Sequence, residues 1–344
     1  MPTLPAARLE EVTRNIFTAH GLPSEDAAHV ATLLLRANLR GHDSHGVIRI
    51  PQYVDALQKG YARPRPHIRV ESETPTTARL DGDLGFGQVV GCRGTELAIA
   101  KARAHGISAV TFVRTNHLGR LADYAEMAAA AGLIGLLWAN APTALNVAPW
   151  GGAARRLGTN PHAVAIPGPD GTVALSLDFA TSVIPEGKMR VRFNRGETVP
   201  PGIMLDGAGR PSTDPRQYYT TPPGSLLPAG QHKGYGLALA IEILGGILSG
   251  TGAARAEQGP VHNGTLVVCL DVERFLPLED LHRQVADLFG WVRSAPLAEG
   301  ATEILIPGEP EARTARERLA TGIPVEDETW RQIQACAAAV GVPA

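Results

Sequence analysis

Two histidine-bearing segments carry the densest chemistry in this sequence. In Gly41-His42-Asp43-Ser44-His45-Gly46, four successive side chains can move protons or form hydrogen bonds. Ser44 beside His45 could form a proton relay, and Arg49, four residues on, could clamp a carboxylate through its planar fork of donors. The same spacing also suits a plainer use, a helix cap by Asp43 or Ser44 with the histidines at the surface. A metal is a weaker reading of His42, Asp43 and His45, because nothing nearby completes a coordination shell. The second segment, Asn116-His117-Leu118-Gly119-Arg120, ends a predicted strand, at the edge where open α/β sheets place ligand loops. His117 is therefore a second candidate acid or base, and a hydrogen-bonded structural histidine is the alternative.

Other segments suit anions. Gln231-His232-Lys233-Gly234-Tyr235-Gly236 opens a long apolar helix, where free backbone N–H groups and Lys233 could receive a phosphate or carboxylate. Close helix packing explains the same glycines. Asp178 to Ser182 and Gly187-Lys188 follow a predicted strand and could cap a turn as readily as meet a ligand, while Pro307-Gly308-Glu309 reads as a turn. The run Gly85 to Gly91 imitates the glycine fingerprint of a dinucleotide-binding turn. Its third glycine falls one residue late, and Arg114 and Thr115 stand where an acidic residue belongs. A tight turn with helix packing accounts for it as well. Arg114, Arg120 and Arg190 could meet a ribose phosphate, though surface charge is the simpler reading.

These segments need elements to position them. Apolar spacing from Leu9 to Leu39 predicts a helical N-terminal piece; Ile50 to Pro66 is rich in proline, and the alternation that follows in Ile68, Val70 and TTARLDGD suggests a crossing into a sheet, with a boundary near residue 75. Beyond it the pattern alternates: a helix over 88–105, a strand over 107–113, a helix over 121–131 and a strand over 135–138, which is an α/β layer. HAVAIP and TVALSLDF predict further strands, and the connections through MRVRF and GIMLDGAGRPSTDP fit hairpins better than crossover helices. A purely parallel sheet is therefore not expected. A helix over 234–248, the strand GTLVVCLDV, a helix near 278–289, the strand EILIP and a helical region from Glu309 complete the chain.

At 344 residues and 44% hydrophobic, the chain can bury one large core or two modest ones. Its formal charge of -2 is spread without blocks of one sign, which argues against nucleic acid or an anionic membrane as partner. The apolar stretches Ala128–Ala141 and Gly234–Ile247 read as buried elements, the first too short to span a bilayer and the second carrying Glu242. Cys92, Cys269 and Cys336 lie far apart and suit buried thiols in a reducing compartment, and the first residues lack the apolar run of a secretory signal. A cytoplasmic protein is expected.

The order of the motifs joins the pieces. DSHGVIRIPQYV, NHLGR, APWGG, LGTNP, LDFATS, PPGIMLD, GRPSTDP, HKGYGLAL, EILGGILSG, LIPGE and RERLATGIP, spread over nearly the whole chain, together resemble the malate/L-lactate dehydrogenase family. LDGDLGFGQVV, VPPG, GSLLP and HKGY point within it to the bacterial hydroxycarboxylate dehydrogenase B type. The resemblance implies an α/β (α+β) fold that is not Rossmann: a largely antiparallel mixed sheet wrapped by helices. It also implies a helical domain from residues 1–75 with 300–344, and a nicotinamide-binding domain over 76–299. Homodimers are implied too.

By the same resemblance, Ser44 and His45 match a proton relay, and Arg49 and Thr159 match substrate-binding positions, with Tyr53 and Asn140 beside them. Cofactor contacts for NAD or NADP would fall on His45, His117, Leu118, Gly119, Arg120, Leu121, Asp178, Phe179, Ala180, Thr181, His232, Lys233, Pro307, Gly308, Glu309 and Glu311. In some relatives the residue matching His117 is the proton acceptor, so two histidines compete for one role. One departure stands at the catalytic position Lys188. Relatives that reduce cyclic imino acids carry aspartate there, and a charged lysine cannot accept the histidine's hydrogen bond. The expected activity is hydride exchange between NAD(P) and a small 2-hydroxy or 2-oxo carboxylic acid such as malate or lactate, with no metal. The alternatives are a Δ1-piperideine/pyrroline-2-carboxylate reductase of the same family and a cofactor-binding relative without turnover, against which Ser44, His45, Arg49 and His117 argue.

Overall fold

Runs of β-branched and apolar residues suit a pleated, buried surface, and two of them, Ile107–Asn116 and His262–Asp271, pair antiparallel in the middle of a seven-stranded sheet. The computed structural model describes residues 1–256 and 259–344. The strand order is Arg69–Glu73, Thr77–Gly85, Ile107–Asn116, His262–Asp271, Leu133–Asn140, His162–Pro167 and Val173–Phe179. Neighbours run antiparallel except Thr77–Gly85 beside Ile107–Asn116, which the helix Gly87–His105 joins as a crossover. The sheet is thus mixed and mainly antiparallel, as the hairpin-rich middle of the sequence suggests.

That crossover helix resolves the glycine run. It starts directly after the strand, as a dinucleotide fingerprint would, but its glycines face protein. A Cβ at Gly87 would lie 2.3 Å from the His117 carbonyl oxygen, and one at Gly91 would lie 2.5 Å from the Tyr124 ring. Such approaches exclude any side chain, so the glycines seat the helix against the segment that carries His117.

Of four hydrophobic clusters among the described residues, three position the site. Val90, Ala98, Phe112, Tyr124, Leu137 and Val267 belong to the one between the sheet and the helices Gly87–His105 and Ala122–Ala130. A second joins Ile16, Phe17 and Leu34 of the N-terminal helices Ala6–Ala19 and Ser24–Leu39 with Tyr53 of Ile50–Gln58 and Ile333 of Asp327–Ala338. Phe86 and Val89 enter this cluster from beyond the boundary expected near residue 75. The third gathers Val147, Leu157, Met189, Met204, Tyr218 and Leu226 around a small three-stranded sheet.

Four local expectations change. MRVRF lies in the helix Glu186–Arg195, which buries Met189 and keeps Lys188, Arg192 and Arg195 exposed, so the charge density hid an amphipathic turn. Ile50–Gln58 is helical because Pro51 sits in the first turn, where its missing N–H costs nothing. EILIP forms no β-ladder among the described residues: only its Pro307 carbonyl meets a strand, at Ser176 N–H, and Ile306 N–H bonds the Glu309 carboxylate at 2.8 Å. The long apolar helix runs as His232–Ile241 and widens to a π-helix over Glu242–Ile247, a form often found near functional sites. Among the described residues no helix is long and apolar enough to cross a membrane.

Candidate active site

The strand Ile107–Asn116 delivers His117 to the end of the sheet. Asn116 fixes the exit by donating its amide to the Leu84 carbonyl at 2.7 Å, and Leu118 N–H bonds the Asn263 side chain at 2.9 Å. Tyr53 stands behind the imidazole, its hydroxyl 2.8 Å from His117 Nδ1, and Gln88 Nε2 donates to that hydroxyl at 2.9 Å. Both nitrogen neighbours come from packed helices.

His45 arrives differently. The helix Ser24–Leu39 ends near Asn38, whose side chain accepts from Val47 N–H at 2.7 Å and donates to Asp43 at 2.7 Å. Gly46 packs on that asparagine so closely that a Cβ would fall 2.0 Å from its oxygen. Arg318 closes the other side of Asp43 with bonds of 2.6 and 3.1 Å. Asp43 therefore shapes the turn, while Ser44 and His45 face inward, 3.0 Å apart from Oγ to Nδ1. Arg49 donates from Nε to the Ser44 carbonyl and from Nη1 to Gln52, each at 2.7 Å, which leaves its second η nitrogen for a ligand. The His45 and His117 rings stack with centroids 5.5 Å apart.

The two loops meet at a cavity of about 490 Å³. Of the residues singled out in the sequence, Ser44, His45, Arg49, His117, Gly119, Leu121, Asn140 and Thr159 line it. Tyr53 stands one layer back. Asn140 turns its amide away, to Glu242 at 2.8 Å and to the Gly252 carbonyl at 2.9 Å. Lys188 is exposed and outside the lining; Glu186 and Gly187 line it instead, because successive helical side chains point about 100° apart. Arg155, Arg190, Tyr218 and Tyr219 complete the wall, and only Arg190 among them was marked in the sequence. Their signal was weak because they come from the small third core, which has little periodicity to read.

Burial pushes His45 down to about 3, and the Arg49 charge acts in the same sense. Burial, then Arg49 and then His45 hold His117 well below the ordinary histidine value. Burial lifts the Tyr53 phenol to about 12. At neutral pH the site thus offers two uncharged imidazoles, a neutral phenol and a cationic Arg49.

The residues expected at the cofactor also draw together. Asp178 accepts from Ala122 N–H at 2.8 Å, which ties the end of Val173–Phe179 to the turn after His117. Ser176 N–H bonds the Pro307 carbonyl at 3.1 Å, and Ala229 N–H bonds the Thr181 carbonyl at 2.8 Å. Glu311 lies 3.5 Å from His42. Two side chains differ from expectation. Arg120 is buried and bonded to Asp123 at 2.9 Å and Glu126 at 2.7 Å, because a lone buried cation would be too costly. The backbone N–H groups of Lys233, Gly234 and Tyr235 already bond the carbonyls of Gly230, Ala229 and Gln231, so exposed Lys233 is left to meet an anion through its side chain. The cavity wall itself holds the cations Arg49, Arg155 and Arg190 and the aromatic side chains Tyr218 and Tyr219, a set that fits the phosphates and rings of a nicotinamide dinucleotide.

Residues 4–334 match the sequence model of the malate/L-lactate dehydrogenase family. The chain is 37% identical over 342 residues to hydroxycarboxylate dehydrogenase B of Escherichia coli strain K12, covering 98% of this chain and 94% of that one. Among solved structures, malate dehydrogenase from Pyrococcus horikoshii OT3 superposes with a TM-score of 0.90 at 37% identity, over 100% of this chain and 97% of the other. A more distant likeness, 27% identical with a TM-score of 0.85 over 98% and 100% of the chains, is to a Δ1-piperideine-2-carboxylate reductase from Pseudomonas syringae pathovar tomato.

Proposed function

The chain belongs to the malate/L-lactate dehydrogenase family, and from that premise we propose that it exchanges hydride between NAD or NADP and a small 2-hydroxy or 2-oxo carboxylic acid. One observation carries the reading: two neutral imidazoles and the free end of Arg49 face a single cavity. Arg49 holds the substrate carboxylate, since a planar guanidinium with a spare N–H edge matches that group. His117 and His45 then stand over the substrate's hydroxyl or keto oxygen. His117 is the proton partner, because its far nitrogen is held by buried Tyr53 whereas, among the described residues, His45 is held by the Ser44 hydroxyl alone. Binding a carboxylate cancels much of the Arg49 charge, which removes the second cause of the lowered histidine values and leaves burial, the larger one, in place. Bound NAD or NADP supplies the hydride acceptor or donor. Thr159, at the cavity wall, and the rim of Gly119, Leu121, Asp178 to Thr181, Lys233 and Pro307 to Glu311 are assigned to positioning the two partners.

A keto substrate is favoured over an imine because, among the described residues, no carboxylate bonds Ser44 or His45 and Lys188 points outward. The reading includes a helical unit of residues 1–75 with 300–344 around the second core, and a nicotinamide-binding unit over 76–299. It also includes a homodimer, which the exposed apolar residues Leu239, Ile243, Ile247, Phe275, Leu288 and Trp291 support. A cytoplasmic location suits three unbridged thiols. The test is nicotinamide absorbance with NADH and NADPH in parallel, over malate-, lactate- and related 2-oxo acids and one cyclic imino acid. Oxidation with a 2-oxo acid is the expected result. Turnover confined to the imine, or cofactor binding with silence across the panel, would sink it.

A further inference from the structure

Gln88 is a misfit in its surroundings. It is 1% exposed, near Phe86 and Val89 at the start of the helix Gly87–His105, where an amide costs free energy unless it is bonded. Its oxygen has no partner, and its nitrogen makes one bond, to the Tyr53 hydroxyl. Tyr53 is also buried and reaches His117 Nδ1 at 2.8 Å and the His117 carbonyl oxygen at 3.4 Å. Neither side chain lines the cavity that His45 and His117 face.

We infer that Gln88 and Tyr53 are positioning residues that set the tautomer of His117, keeping the ring hydrogen on Nδ1 and leaving Nε2 as a bare acceptor toward the substrate. The inference rests on the proposal that His117 exchanges the substrate's proton. A phenol has one hydrogen and two acceptor pairs. The Gln88 N–H fills one pair. If Tyr53 gave its hydrogen to Nδ1, its second pair would stay empty, and the ring hydrogen would sit on Nε2, where it abolishes the base. If Nδ1–H donates to Tyr53 instead, both pairs are filled and the phenol hydrogen points to the His117 carbonyl. The structure shows the Tyr53 hydroxyl in contact with Gln88, with Nδ1 and, as donor, with the His117 carbonyl, and only the second arrangement uses all three, so it prevails.

The proton balance is simple. In the oxidation direction the substrate O–H bond breaks and its proton bonds to Nε2. The imidazolium keeps its Nδ1–H on Tyr53, so no second proton moves. Gly87 makes the arrangement possible, because only bare backbone lets the helix press Gln88 beneath the His117 loop.

The test compares pH–rate profiles of malate or lactate oxidation, whichever turns over, for Tyr53→Phe, Gln88→Leu, Gln88→Glu and His117→Asn. Melting curves and cofactor binding check that each is folded. Tyr53→Phe and Gln88→Leu are expected to lower kcat about tenfold or more, part of the worth of positioned acid–base catalysis, with KM little changed. Tyr53→Phe also moves the acid limb to lower pH, since the imidazolium loses its acceptor, whereas Gln88→Leu frees the Tyr53 oxygen from a competing donor and moves the limb slightly to higher pH. Gln88→Glu places a carboxylate behind the phenol and moves that limb to higher pH. Folded variants with unmoved profiles beside an inactive His117→Asn would overturn the inference and leave the proposed function standing. Loss of turnover without any shift of the limb would also overturn it, as a merely structural effect. An active His117→Asn would instead overturn the proposed role of His117 itself. Should Tyr53→Phe fail to fold, the two Gln88 variants still decide: a limb moved to higher pH, further in Gln88→Glu than in Gln88→Leu, supports the inference, and an unmoved limb in both overturns it.

Discussion

His117 and His45 face the same cavity from supports of opposite kinds. His117 follows a central strand, and the phenol and amide behind it come from helices locked into two cores. His45 sits in the one-turn helix Asp43–His45, placed by a lattice of side-chain bonds among Asn38, Asp43 and Arg318, the last from the distant helix Glu309–Thr321. Backbone packing moves little when one contact is lost, whereas a hydrogen-bonded turn can lose its shape with one partner. The cavity therefore pairs a rigid proton site with a wall whose form depends on docking of the C-terminal helices.

The largest effect that could break this comparison is a pair of substitutions. His117→Asn is expected to lower kcat by about two to four orders of magnitude, the usual worth of positioned acid–base catalysis. His45→Asn is expected to cost at least about tenfold less, because its single bond to Ser44 fixes the ring less well. Steady-state rates on the same substrate check both, and a reversed order would transfer the proton role to His45. Next in size is Arg49→Lys. An ammonium keeps the charge but loses the bidentate fork, a charge-assisted contact worth about 1.5–3 kcal/mol, so KM should rise about 10- to 100-fold with kcat less affected. An unchanged KM would remove Arg49 from the carboxylate site.

The same contrast governs what could be read from sequence. The strand before His117 and the helix Gly87–His105 were legible because their patterns are local and periodic. Ser44, His45 and Arg49 were legible as a dense cluster of chemistry. Gln88 was not: it stood inside a glycine run that resembles a phosphate turn, and only the approach of Gly87 to the His117 carbonyl shows that the run packs a helix. Lys188 was placed by motif alone, and a single step along a helix carries it out of the cavity. Arg155 and Tyr218 were illegible because their contact, with the guanidinium 3.9 Å above the ring, joins residues far apart in the chain.

The smallest expected effect sharpens the comparison through stability. Both histidines are depressed in the folded protein, so between their folded values and the free value near 6.5 the unfolded chain binds more protons. Stability is then complete above about pH 6.5 and falls as pH drops, by about 1.4 kcal/mol per pH unit for each buried imidazole, with His45 contributing down to about 3. Denaturant midpoints measured from pH 7 to pH 5 should therefore fall less steeply in His45→Asn and in His117→Asn than in the parent, by at most about one proton's slope each. The turn that carries His45 can open locally and admit water, whereas the strand end and paired phenol that hold His117 cannot. The His117 variant should accordingly recover the full slope and the His45 variant less than it. Equal recovery would mean that the Asn38–Asp43–Arg318 lattice is as rigid as the sheet.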